Sequence, residues 1–121
     1  MKKSADKSAA FIIIFLLVIP LSANTPDAEK SFSELKKYFI TRPGKSFDRE
    51  AYSFLKKFPE SEYVADVRLM LADNESDTEL ALEKFRAVVK YYRYYPHRDY
   101  ALYRICQILD LKSGWKELQV E

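Results

Sequence analysis

The chain has 121 residues, enough for one domain, with 20 Lys+Arg against 18 Asp+Glu. One Cys (Cys106) leaves no disulfide within the chain, and one His leaves too few ligands for most metal or acid–base constellations. Leaving out residues 1–23 subtracts 3 bases and 1 acid; the remainder carries 17 of each, is formally neutral, and has no global electrostatic reason to bind nucleic acid.

The first element in chain order is an export signal. Lys2, Lys3 and Lys7 make a positive n-region, Phe11 to Ile19 is an unbroken apolar run, and Pro20 breaks it. Leu21-Ser22-Ala23 offers small residues to a signal peptidase, with the cut expected after Ala23. The run is shorter than the ~20 apolar residues of a membrane span, and an uncleaved N-terminal anchor stands as the alternative. Export places the protein in the periplasm or cell envelope. No Cys lies near Ala23, so the usual lipid-anchor site of bacterial lipoproteins is missing.

From Thr25 onward the pattern is helical. Residues 24–45 hold one helix and its turn: Thr25 is a candidate N-cap, Pro26 suits the first helical position, and Ala28, Phe32, Leu35 and Phe39 share a face before Pro43-Gly44. Ser46 is a candidate cap for a second helix, with Phe47, Ala51, Phe54, Leu55 and Phe58 inward and Pro59 as its stop. Ser61 would cap a third through Val64, Val67, Met70 and Leu71. Ser76 with Glu79 reads as a capping box for a fourth. That helix is expected to run to about Tyr95, with Ala81, Leu82, Phe85, Val88, Val89 and Tyr92 on one face. A fifth is expected from about Arg98 to Lys112, burying Leu102, Ile105, Cys106 and Leu109 and ending at Gly114. Residues 115–121 read as the start of a further, incomplete helix. The fold class is all-α, antiparallel helical hairpins in a stack.

The chain also echoes itself. Phe54-Leu-Lys-Lys-Phe-Pro-Glu-Ser-Glu-Tyr63 matches Tyr91-Tyr-Arg-Tyr-Tyr-Pro-His-Arg-Asp-Tyr100 at an offset of 37 (91 minus 54), aromatic on aromatic, Pro59 on Pro96 and Tyr63 on Tyr100. A period of this size signals stacked supersecondary units. On these residues and on Ala81 to Gly114, the chain resembles tetratricopeptide (TPR) proteins. The nearest likeness is the envelope branch that includes outer-membrane-assembly lipoproteins and periplasmic cell-division coordinators. The resemblance covers residues 46–114 and implies a short solenoid that binds a protein or peptide, possesses no catalytic residues and needs no cofactor. Departures from the family pattern are the long helix before each Pro, the poor match of residues 62–73, and the missing lipid-anchored Cys.

The candidate partner-binding residues are Lys90, Tyr91, Arg93 and Tyr94, since aromatic and Arg side chains presented together are enriched at binding hot spots. On a helix reaching Tyr95, Tyr94 would point away from the core beside Lys90. His97 beside Asp99 lacks a nearby nucleophile and reads as a solvated turn residue. Asp73 to Glu79 lacks the Gly and the alternation of a Ca²⁺ loop and reads as a polar turn. No metal, cofactor or nucleic acid is expected, and a membrane only through the N-terminal segment. The sequence leaves two readings open: a complete scaffold, alone or as a homo-oligomer, or the N-terminal part of a longer repeat protein whose working surface lies beyond Glu121.

Overall fold

A computed structural model describes residues 25–120, with side chains through 114. Ala23 and the export signal lie outside the described residues. Five helices follow one another with no strand among the described residues: α1 Pro26–Thr41, α2 Lys45–Lys57, α3 Val64–Asn74, α4 Thr78–Tyr91 and α5 Arg98–Val120. Each packs on its neighbour in sequence, as short connections between antiparallel helices require.

Local chemistry sets the ends. Thr25 caps α1 as its spacing predicts, its Oγ1 accepting from the Ala28 N–H (3.3 Å), with Pro26 opening the helix. The cap of α2 is Gly44, not Ser46. Its φ of 98° and ψ of −152° belong to a region that essentially only glycine occupies. Asp77, not Ser76, caps α4 through its Oδ1 and the Leu80 N–H (3.0 Å); one residue's shift removes the expected capping box. Ser61 acts earlier than a cap: its Oγ accepts from the Tyr63 N–H (3.1 Å) in the turn before α3.

The core is two clusters with α3 between them. Phe32, Leu35, Phe47, Ala51, Phe54 and Leu55 from α1 and α2 pack on Val67 and Leu71 of α3. Leu69 and Ala72 of the same helix pack on Ala81, Leu82, Phe85 and Val88 of α4 and Ala101 and Ile108 of α5. The stripes read for α1, α2 and α4 are the buried or partly buried ones. For α3 the sequence shows one face, because a helix buried on two sides has no single apolar stripe. Burying each large apolar side chain fully stabilises by about 1.5–3 kcal/mol, and Phe47 and Phe85, both 0 % exposed, anchor the two clusters.

The structural repeat is shorter than the echo. The Phe58 N–H donates to the Phe54 carbonyl (2.8 Å), and the Tyr92 N–H to that of Val88 (3.1 Å), 34 residues on (92 minus 58). At the same offset the turn bond from Ser61 to Phe58 (3.2 Å) recurs from Tyr95 to Tyr92 (3.1 Å), and that from Val64 to Ser61 (3.2 Å) recurs from Arg98 to Tyr95 (3.1 Å). Phe47 and Ala81, Ala51 and Phe85, Phe54 and Val88, and Val67 and Ala101 are matched pairs, all buried. Pro59 therefore has Arg93 as its counterpart, and Pro96 falls three residues later. Consequently α4 ends at Tyr91 rather than near Tyr95. The shift lets Tyr95 turn inward, where its hydroxyl donates to Asp66 Oδ1 on α3 (2.5 Å).

Two expectations for α5 are corrected. The helix passes through Gly114, which has neither a positive φ nor a neighbour within 4 Å of an added Cβ, and the backbone of residues 115–120 continues it rather than opening a sixth helix. Up to Gly114 its buried residues are Ala101 and Ile108 and Ile105 is partly buried as expected, while Leu102, Cys106 and Leu109 are exposed. Polar anchors choose this rotation. Tyr100 (3.0 Å) and Arg104 (3.2 Å) both donate to Asp73 Oδ1 on α3, and the Arg104 guanidinium lies 5.5 Å from the Phe85 ring centre. Ala101, 0 % exposed, permits the close approach.

Asn74 ties the far ends of the first cluster together. Its Oδ1 accepts from the Gly44 N–H (2.7 Å), and its Nδ2 donates to the Gly44 carbonyl and to Asp48 Oδ1 (both 2.8 Å). Removing a partly buried side chain with three such bonds is expected to cost about 1–3 kcal/mol, as the Gly44 backbone loses its partner. Chemical denaturation of Asn74→Ala against the parent measures it; a loss within error would mean that water replaces the amide fully.

Candidate functional site

The C-terminal end of α4 separates two surface grooves. The first crosses α2, α3 and α4. It is lined by Tyr52, Arg68, Leu71, Lys84, Ala87, Val88, Tyr91 and Tyr92 and encloses about 280 Å³. Lys84, Ala87, Val88 and Tyr91 occupy one α4 face at spacings of three, one and three, so they point the same way. Tyr52 and Tyr91 are exposed by 47 % and 70 %, leaving aromatic surface open to a ligand. Tyr92, past the helix end, packs against the second core cluster.

Charge in this groove is uneven. Lys84 Nζ donates to Glu75 Oε2 (2.7 Å), while Arg68 makes no ion pair among the described residues. The bond from Lys84, with the Asp77 N–H on the other oxygen (3.0 Å), holds the Glu75 carboxyl below its usual range. Partial burial works against the Lys84 charge, but Glu75, Tyr52 and Asp48 together outweigh it and raise Lys84 above the ordinary amine value. The pair thus fixes Lys84 as a cation at the groove wall.

The second groove lies between α4 and α5. Arg86, Val89, Lys90, Arg93, Arg98 and Ile105 line it, with no carboxylate among them. Arg98 Nε donates to the Val89 carbonyl (3.2 Å), which fastens the start of α5 to the end of α4.

The four sequence candidates divide between these places. Tyr91 belongs to the first groove; Lys90 and Arg93 belong to the second. Lys90 Nζ lies 5.2 Å from the centre of the Tyr91 ring and links the two. Tyr94, 92 % exposed, sits in the turn after α4 and lines neither groove. The helical placement of Tyr94 beside Lys90 is corrected, because α4 ends three residues before it. His97 lies in the following turn, edge-on to Tyr95 at 5.5 Å. No group of three potential metal ligands gathers among the described residues.

Tyr52, Arg68 and Lys84 were missed from the sequence. Lys84 was legible on the Ala87–Tyr91 face; Tyr52 and Arg68 meet it only after three helices pack. Searches against protein-family models, curated proteins and solved structures find no match.

The sign of the Glu75 shift sets a pH dependence. A carboxyl lowered on folding adds stability above its ordinary value of 4.5 and loses it as pH falls through the lowered folded value. Glu75→Gln is therefore expected to unfold at lower temperature than the parent at neutral pH, with the gap closing in acid. Melting curves across that range check it; a gap independent of pH would remove the ionised carboxylate from the account.

Proposed function

We propose that this chain is a TPR-like interaction scaffold of the bacterial cell envelope. It would bind an extended peptide or protein segment in the groove of Tyr52, Arg68, Lys84 and Tyr91. The groove carries the reading: exposed tyrosines beside an Arg with no ion pair among the described residues are the composition of an interaction hot spot, not of a reaction centre. Helical pairs repeating every 34 residues support it, because that is the TPR length. The envelope location rests on the export signal read from residues 1–23. Arg68 and Lys84 favour a segment with carboxylates, and the tyrosines one with apolar or aromatic side chains.

Affinity capture from envelope extract, with partners identified by mass spectrometry, tests this. Tyr52→Ala/Tyr91→Ala should keep the helical fold, since both rings are largely outside the core, and should weaken the captured partner about tenfold or more. Failure to enrich any partner, or equal capture by the variant, would sink the proposal.

The exposed face of α5 favours a second reading. Leu102, Cys106 and Leu109 form one stripe with nothing packed on it among the described residues. In the N-terminal part of a longer repeat protein, the next helical pair would cover this stripe. A coding sequence continuing beyond Glu121 with further helical pairs supports that reading; a stop codon there ends it.

A further inference from the structure

The groove between α4 and α5 concentrates positive charge with no carboxylate among its described lining residues. Arg86, Lys90 and Arg93 are exposed, Arg98 is partly so, and none of the four forms an ion pair among the described residues. The nearest carboxylates in sequence, Glu83 and Asp99, pair with none of them. Elsewhere the surface behaves differently. In the groove between α3, α4 and α5, Arg104 is paired with Asp73, Lys112 with Glu79, and Glu75 with Lys84. The groove between α1 and α2 interleaves Lys57 with Glu34 and Glu50. The C-terminal dipole of α4 amounts to about half a negative charge, far short of what four cations would balance.

The surroundings of this charge say what would balance it. Tyr94 follows Arg93 in the turn after α4 and is 92 % exposed, and Val89 and Ile105 are the apolar part of the lining. Cations with a tyrosine beside them and apolar lining between them match a bilayer interface, where phosphates sit above the acyl boundary and amphipathic rings are favoured. A dedicated nucleic-acid binder carries a basic domain; beyond residue 23 this chain has 17 cationic and 17 anionic side chains.

We propose that this groove docks the protein on an anionic phospholipid surface, with Arg86, Lys90, Arg93 and Arg98 on headgroup phosphates and Tyr94 at the interface. It is a contact separate from the N-terminal segment and from the peptide groove, and it orients α4 and α5 toward the bilayer.

The full chain is co-sedimented with vesicles of phosphatidylglycerol mixed into phosphatidylcholine, and with phosphatidylcholine alone. The apolar run Phe11 to Ile19 would bind both alike, and Lys2, Lys3 and Lys7 add the same anionic preference to every variant, so the change in the ratio of the two affinities between variants is the readout. Each cation near an anionic surface is worth about fivefold. Lys90→Gln/Arg93→Gln should therefore lower the ratio about 30-fold, and added salt should lower that of the parent. Lys56→Gln/Lys57→Gln, the same charge removed from the exposed end of α2, should leave it unchanged, with circular dichroism confirming the fold of both variants. Equal binding to both vesicle types overturns the proposal, as does a ratio that the groove variant leaves unmoved. Equally tight binding of a single-stranded oligonucleotide, weakened by the same variant, overturns it in favour of a nucleic-acid surface.

Discussion

Everything in this fold is built against α3. It is eleven residues long and is buried on two sides, with Val67 and Leu71 in one cluster and Leu69 and Ala72 in the other. No other described helix contributes to both clusters. Remove its apolar residues and the two hairpins lose their common wall, since each core cluster packs on it. The same helix carries the polar fixings. Asp66 takes the Tyr95 hydroxyl, Asp73 takes Tyr100 and Arg104, and Asn74 clasps Gly44 and Asp48. A hydrogen bond contributes only about 1 kcal/mol net, but these bonds are directional and apolar contact is not. They set the rotation and register that the hydrophobic effect leaves free.

The consequences reach the surface. The Asp73 anchors turn α5 so that Ala101 and Ile108 face inward and Leu102, Cys106 and Leu109 face out. Partial burial raises the Asp73 carboxyl above its ordinary range, against the bonds from Tyr100 and Arg104 that pull it down. The Tyr95–Asp66 bond belongs to a turn that begins three residues earlier than the Pro spacing suggests, and burial with the same carboxylate raises the Tyr95 hydroxyl. Of the four sequence candidates, Tyr91 lines one groove, Lys90 and Arg93 line the other, and Tyr94, in that early turn, lines neither. One groove is aromatic with a fixed cation; the other sets four cations around Val89 and Ile105. The proposed peptide and membrane contacts thus sit back to back across the end of one helix.

The sequence by itself determined the all-α class, the five helices, and the inward faces of α1, α2 and α4. Each of those helices buries one stripe, and a single stripe is written in the 3.6-residue period. It also held the Thr25 cap and a repeat of roughly the right size. Only tertiary structure decided the rest. Helix α3 needed two partners before its second face had meaning, and α5 took its rotation from a carboxylate 27 residues away at Tyr100. Asn74 read as part of a polar turn because its partners lie 26 and 30 residues off. The true period of 34 was masked by matching prolines at 37, because proline marks a turn without fixing its position in it. Local pattern reports what one helix must hide; which neighbour it hides against, and at what angle, is a property of the packed molecule.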